Sequence, residues 1–272
     1  MKKLTEQKYW ESKYRVNNPD LTFSAYKSRL PSFIEKLLVP YMHDCQIKFI
    51  KDNIILPKNS RGVEVGSAPG YFITELAEKM NFEPYGIEYS QSGADSNKEI
   101  FKMHGYEDKN VIMSDFFSED FLKNHEDFFD MVISRGFIEH FDSPEHVIKN
   151  HLKILKKGGY LVLIVPNKTG INRRLSLFFN RDSLDMHNLR IMRLKNFENA
   201  VPADSVEKIL SRYFGIFDLY QFNPSKSKKR IHLAAMKLQK LLYLLYRIKP
   251  ESINLDSRMF SPMLIFIGRR IK

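Results

Sequence analysis

The stretch Val63-Glu64-Val65-Gly66-Ser67-Ala68-Pro69-Gly70-Tyr71-Phe72 constrains this chain more than any other. A short β-branched run ends at a glycine-rich turn, and a helical pattern over 71–80 begins directly after it. Glycine lets a backbone turn through positive φ and approach a ligand with no Cβ in the way. A helix N-terminus behind such a turn favours negative charge in front of it. The spacing is G-x-x-x-G with a proline inside, so it is not the G-x-G-x-x-G of a nicotinamide dinucleotide site. No Gly-Lys-Ser/Thr follows to make it a phosphate loop.

The rest of the middle third repeats the same strand–helix unit. Strands are predicted at 62–65, 85–88, 111–113, 129–134 and 160–165, with helices at 71–80, 92–104 and 144–156. Gly158-Gly159 reads as a helix C-cap and turn. Strands alternating with helices imply βαβ units and a parallel sheet covered on both faces. The rhythm then breaks. Residues 166–200 are polar with no clean period, 206–213 reads as a helix, 216–220 as a strand and 263–267 as a closing strand. Residues 1–57 read as helical. Tyr9, Trp10, Tyr14 and later Phe33, Ile34, Leu37 and Leu38 fall at helical spacings, broken by Pro19, Pro31 and Pro40. The expected organisation is an N-terminal helical cover (1–57) on a core (58–272). The core carries a lid insert at about 166–200 and a basic helical insert at about 225–250.

Composition narrows the class. One cysteine, Cys45, excludes an internal disulfide framework and a Cys-rich zinc site, and a cytoplasmic protein is expected. Residues 1–8 lack the apolar run of a signal peptide, and no uncharged stretch approaches the roughly 20 residues of a membrane span. The formal charge is +11, from 43 Lys+Arg against 32 Asp+Glu. Most of that excess is local. Between Leu219 and Pro250 there is no acid, but there are Lys226, Lys228, Lys229, Arg230, Lys237, Lys240, Arg247 and Lys249.

Acids stand where a ligand would meet the strand ends. Glu64 precedes the first loop glycine and suits a ligand ammonium group. Glu88, followed by Tyr89, closes the second strand, where a carboxylate takes ribose hydroxyls. Asp115 closes the third strand beside Phe116 and Phe117, placing an acceptor for an adenine amino group next to a ring that packs on it. Together they describe a ligand made of adenosine and an amino acid.

At these residues the chain resembles the class I S-adenosylmethionine-dependent methyltransferases of the small-molecule type. The resemblance rests on E-V-G-S-A-P-G at 64–70, Glu88, Ser114-Asp115-Phe116, and 129–134 followed by Ile138-Glu139-His140-Phe141. It continues through Leu155-Lys156-Lys157-Gly158-Gly159-Tyr160-Leu161. It covers about 60–166 well and the closing strands loosely. It implies a Rossmann-like, doubly wound, seven-stranded, mostly parallel α/β sheet. The cofactor would be S-adenosylmethionine, leaving as S-adenosylhomocysteine. Its contacts would be Glu64, Gly66, Ser67, Gly70, Glu88, Tyr89, Asp115, Phe116 and Ser134. Lys8-Tyr9-Trp10-Glu11 resembles the N-terminal helix that covers the cofactor in small-molecule members.

Methyl transfer to an alcohol is helped by a base. His140, after the fourth strand, is the first candidate, and His187, in the 166–200 insert, is the second. The plainer readings are a packing or capping histidine and a loop histidine. Arg173, Arg174, Arg181 and Arg190 share the insert and suit an acidic substrate group or solvent. No His/Asp/Glu set has metal-ligand spacing. The expected acceptor is a small molecule or a sugar- or lipid-linked precursor, methylated on oxygen before nitrogen.

Two rivals stand beside this reading. Ala68-Pro69-Gly70 also resembles RNA ribose 2′-O-methyltransferases, but Ser134-Arg135-Gly136 occupies the place of their catalytic aspartate. A non-catalytic binding module of the same fold would not need Glu64, Glu88 and Asp115. Over 230–248, Arg230, Lys237, Lys240 and Arg247 form one stripe and Ile231, Ala235, Leu238, Leu242 and Leu245 the opposite one. Such a helix suits the inner surface of an anionic membrane, or packs its apolar stripe on the domain or on a second subunit of a homodimer. It lacks the aromatic–basic alternation of a nucleic-acid platform.

Overall fold

The computed structural model describes residues 1–14, 41–222, 224–248 and 255–272. The expected helix containing Phe33 to Leu38, and its three proline breaks, lie outside them. The strands are β1 (Arg61–Val65), β2 (Glu83–Glu88), β3 (Val111–Met113), β4 (Phe129–Arg135), β5 (Leu155–Pro166), β6 (Val206–Phe214) and β7 (Met263–Arg270). They form one seven-stranded sheet in the order β3-β2-β1-β4-β5-β7-β6. The first five strands run parallel, and β7 runs antiparallel to both β5 and β6. This is the Rossmann-like α/β fold.

Both faces are buried because the strands carry continuous apolar runs. Along β5, Leu161, Leu163 and Val165 join the core on one face while Val162 and Ile164 join the other. On β7, Leu264 and Phe266 oppose Ile265 and Ile267 in the same way. Helices α2 (Tyr41–Asn53), α3 (Tyr71–Met80) and α4 (Gln91–Met103) cover one face. Helices α5 (Glu119–Asn124) and α6 (Pro144–Ile154) cover the other. Strand order reverses between β1 and β4, which opens a crevice at the carboxyl ends of the strands.

Three local readings are corrected. Residues 206–213 are not a helix but edge strand β6. Val206, Leu210 and Tyr213 are apolar at helical spacing because the pairing with β7 shifts register between Lys208 and Leu210. The irregularity moves Leu210 to the face opposite Val206 and Tyr213, so a strand imitates a 4-then-3 period. Residues 216–220 are not a strand. The Gln239 side chain accepts from Leu219 N (3.1 Å) and donates to Phe217 O (3.1 Å), standing in for a neighbouring strand. Asp218 accepts from Tyr220 N, and Leu219–Gln221 turns as 3-10 helix. The glycine pair does not cap a helix either. α6 ends at Ile154, Leu155 already pairs with Phe129, and 156–159 bulge out of β5 before Tyr160 pairs with Met131.

Residues 166–200 divide in two. The first part, with α7 (Gly170–Phe179), reaches the crevice, whereas Ile191, Met192 and Phe197 of the second part are buried in the sheet core around α8 (Leu194–Asn199). Helix α9 (Lys229–Ile248) packs with a face rotated from the expected apolar stripe. His232, Gln239 and Tyr243 face inward, while Ile231, Leu238 and Leu245 are exposed.

Candidate active site

The crevice is a cavity of about 870 Å³, near the upper end for ligand pockets and roomy enough for two ligands. The glycine turn forms its floor. Gly66 has φ +72°, and a Cβ there would lie 2.9 Å from the Phe137 ring. Gly70 has φ +107° and begins α3 with no side-chain cap.

Of the predicted cofactor residues, Glu64, Gly66, Glu88, Tyr89, Asp115 and Phe116 line the cavity. Ser67, Gly70 and Ser134 do not. Ser67 Oγ accepts from Asn97 Nδ2 behind the wall, and Gly70 leaves no room for a Cβ beside the Asn97 side chain. Ser134 is buried, and its hydroxyl has no partner among the described residues. These three shape the turn and the strand ends instead.

Glu88 Oε1 accepts from Tyr89 N, Ser90 N and Ser90 Oγ at 2.8–3.0 Å, which fixes the carboxylate at the end of β2. Burial raises its pKa against those bonds. Asp115 is half-exposed, accepts from Phe117 N and pairs with Lys3 at 3.4 Å. Phe116 sinks into the core at 3% exposure, and Phe117 presents a more open ring beside it.

Glu64 carries the sharpest electrostatic feature. It is 2% exposed; Oε1 accepts from Arg135 Nε at 3.0 Å, and Oε2 is buried with no hydrogen-bond partner among the described residues. Burial pushes its pKa up, and Arg135 opposes that. Arg135 also donates to Gln46 Oε1 (3.1 Å) and lies 3.7 Å over the Phe72 ring. Sequence reasoning passed over Arg135 as a cofactor-site residue, although its position at the end of β4, beside β1, was the available signal.

The N-terminal segment closes the mouth. Lys3 bridges to Phe141, Leu4 N donates to His140 O, and α1 (Gln7–Lys13) follows. Glu11 accepts from Gln91 N (2.7 Å) and Ser92 N (3.1 Å), placing a carboxylate on the N-terminus of α4, where the orphan donors and the helix dipole both favour it. Tyr9, Trp10, Lys13 and Tyr14 thereby become cavity wall.

The two predicted histidines meet here. His140 and His187 have ring centroids 4.7 Å apart, and the Trp10 ring stands edge-on to His140 at 5.3 Å. His140 Nδ1 is 2.8 Å from Met186 O, and His187 Nδ1 is 2.5 Å from Ser183 O. A carbonyl only accepts, so each Nδ1 donates and each Nε2 keeps a lone pair. Burial holds both rings neutral, with pKa values lowered to about 3 and about 4. Glu139 Oε1 lies 3.9 Å from His140 Nε2; burial raises that carboxyl to about 8. The same burial lowers nearby Lys168 to about 8.

Glu139, His140 and His187 offer ligand atoms all within 4.8 Å of one another, a grouping hidden in the sequence because His187 is remote from the Glu-His pair. The Lys168 and Lys13 charges bear on the same groups and oppose a divalent cation there. The trio is better matched to moving a proton.

The site therefore presents a fixed carboxylate at the end of β2, a carboxylate–guanidinium corner at β1 and β4, and a glycine floor that a Cβ would fill. This donor set fits S-adenosylmethionine, whose ribose and α-amino-acid group would be held by Glu64, Gly66, Glu88 and Arg135, with Asp115 toward the adenine. Fold and site together are those of a class I S-adenosylmethionine-dependent methyltransferase. The sequence model of the methyltransferase domain family matches residues 42–213, and the chain belongs to that family.

A curated relative, the ubiquinone biosynthesis O-methyltransferase of Pelagibacter ubique (strain HTCC1062), is 28% identical over 134 residues. The match covers 46% of this chain and about half (53%) of that relative's length. Among solved structures, a putative methyltransferase from Bacillus halodurans C-125 is 17% identical, with TM-score 0.52 over 84% of this chain and 97% of its own. Phosphoethanolamine N-methyltransferase 2 of Haemonchus contortus, solved with S-adenosyl-L-methionine, is 14% identical. Its TM-score is 0.54 over 84% of this chain and 53% of its own. At these identities the structural likenesses show the fold.

Proposed function

We propose that this methyltransferase acts on an oxygen of a small, largely apolar acceptor or of a sugar- or lipid-linked precursor. The observation that carries this reading is the pair of histidines that meet in the cavity wall, each giving Nδ1 to a carbonyl and so keeping a lone pair on Nε2, in a cavity also lined by Trp10, Met186, Tyr220, Phe222 and Met263. A hydroxyl acceptor has a proton to lose, and a neutral amine does not need a base before attack. The O-methyltransferase name of the Pelagibacter relative supports the same choice.

S-adenosylmethionine supplies the methyl electrophile and the leaving group. The chain's residues position, exclude water and take the proton. Glu88 fixes the ribose, Glu64 and Arg135 the amino-acid end, and α1 closes the mouth. His140 Nε2 accepts the acceptor's hydroxyl proton, while Met186 O holds the ring through Nδ1.

Calorimetry with S-adenosylmethionine and S-adenosylhomocysteine tests the cofactor half. Binding is expected, and Glu88→Ala should weaken it about 10²-fold, the worth of two charged hydrogen bonds. Glu88→Gln, which keeps an acceptor, should lose less. Unchanged affinity in Glu88→Ala would refute the ribose role. The acceptor half is tested by labelled methyl transfer to matched phenol and amine acceptors; transfer to the amine alone would sink the oxygen reading.

The pH profile is a further test. Both histidines stay neutral down to about 3–4, so turnover should show no limb near 6.5. Glu139 loses its proton through about 8. The resulting anion stabilises a protonated His140, and deprotonation of Lys168 removes an opposing cation over the same range. Turnover should therefore rise through about pH 8, and Glu139→Gln should flatten that rise. An ascending limb at 6.5 would show that the histidines are solvated.

A further inference from the structure

Helix α9 holds to the protein through Ala235, Met236, Tyr243 and Tyr246 and through a row of polar bonds, and leaves most of its leucines outside. His232 Nε2 donates to Leu219 O (3.0 Å), Gln239 bonds Phe217 and Leu219, and Tyr243 Oη donates to Asp218 (2.7 Å). Arg247 pairs with Asp44 at 3.0 Å. Outside stand Ile231, Leu233, Leu238, Leu241, Leu244 and Leu245, each between 41% and 59% exposed. Isolated exposed leucines are ordinary, but six on one 20-residue helix are not. Arg230, Lys237 and Lys240 are interleaved with them and exposed, and Lys226, Lys228 and Lys229 lead in. Among the described residues these six cations pair with no carboxylate, and no acid occurs between Leu219 and Pro250 to supply one. Phe178 of α7, half-exposed under Lys228 at 3.7 Å, extends the patch.

We propose that the outer face of α9 lies on an anionic lipid bilayer, leucines in the acyl boundary and lysines and arginines at the headgroups. Apolar area and cations together are what binding in the plane of an anionic membrane requires. A second copy of this chain is a poor occupant. A two-fold contact would bring Arg230, Lys237 and Lys240 of both helices into one interface, with no acid on either helix to neutralise them. No helix among the described residues is long and apolar enough to cross a membrane, so the contact is peripheral.

The surface is coupled to the cavity. Tyr220, Gln221 and Phe222 line it, and α9 fixes that turn through Leu219 and through Tyr220, whose ring stacks on Tyr243. Resting on the proposed oxygen-acceptor reading, this makes a membrane-embedded, lipid-linked hydroxyl compound the acceptor class.

The test is co-sedimentation of the full chain with phosphatidylcholine vesicles, with and without phosphatidylglycerol. Binding is expected only with the anionic lipid and should fall as salt rises. An Arg230→Glu/Lys237→Glu/Lys240→Glu variant and a Leu238→Ser/Leu241→Ser/Leu245→Ser variant should each bind at least tenfold less. These side chains are solvent-exposed, so both variants should fold and keep wild-type S-adenosylmethionine affinity by calorimetry, which separates failure of this surface from failure of the methyltransferase site. Absence of vesicle binding, or binding that neither variant weakens, would overturn the proposal. So would a dimer in sedimentation equilibrium that the leucine variant dissociates.

Discussion

His140→Ala should lower kcat by about 10²–10⁴-fold, the usual worth of a positioned general base, while leaving S-adenosylmethionine affinity near wild type. Among the described residues the ring makes one strong polar contact, Nδ1 to Met186 O, which fixes its tautomer and leaves Nε2 as the proton-accepting atom. It sits between the Trp10 edge and His187, in a wall shared by the N-terminal cover and the loop after α7. Truncation therefore removes the lone pair and loosens that wall at once. His140→Gln separates the two effects, because an amide fills much of the space and accepts a hydrogen bond but takes no proton. If the base role holds, glutamine loses nearly as much kcat as alanine and less in KM. His187→Ala should cost less alone, and the double variant should fall short of the product of the singles, as residues acting as a unit do. Wild-type turnover in His140→Ala would remove it as the base.

What could be read in advance follows a physical division. The parallel half of the sheet was legible because each of its strands is buried on both faces and each connection is a helix. A run such as 160–165 followed by no polar alternation has few other folds. The strand-end acids Glu64, Glu88 and Asp115 were visible for the same reason, since their strands fix which end meets the crevice. The antiparallel edge was misread because long-range pairing overrides local spacing there. The register shift in β6 gave Val206, Leu210 and Tyr213 a helical period, and the Gln239 amide replaced a strand beside 217–219. The partners of the site lay beyond reach for a related reason. Nothing in the sequence says that His187 returns to His140, that Glu11 sits on the start of α4, or that Arg135 turns to Glu64. Each depends on where a loop closes in space.

Arg135→Ala should cost both stability and cofactor binding, and its pH dependence identifies why. Glu64 is almost fully buried, and one of its oxygens has no hydrogen-bond partner among the described residues. Arg135 Nε is its only charged donor within bonding distance among the described residues. Removing one member of a fully buried ion pair costs about 3–5 kcal/mol; with Arg135 partly exposed, about 2 kcal/mol is the expected loss near neutral pH. Part of it comes from the released contacts to Gln46 and the Phe72 ring, which lysine cannot replace. The variant's Glu64 pKa rises further, because burial then acts unopposed by the guanidinium. At low pH the carboxyl is protonated and needs no cation, so the stability difference from wild type should be smallest there. It should grow as pH rises and an ionised Glu64 has to be buried alone. Urea denaturation of both proteins across the acid-to-neutral range measures that difference directly. S-adenosylmethionine affinity should drop more than tenfold in the same variant, since the ligand's carboxylate loses its guanidinium, and Arg135→Lys should recover only part of it. A stability loss equal at every pH would mean that Arg135 acts only by packing on Phe72, and the carboxylate–guanidinium corner would lose its claim on the amino-acid end of the cofactor.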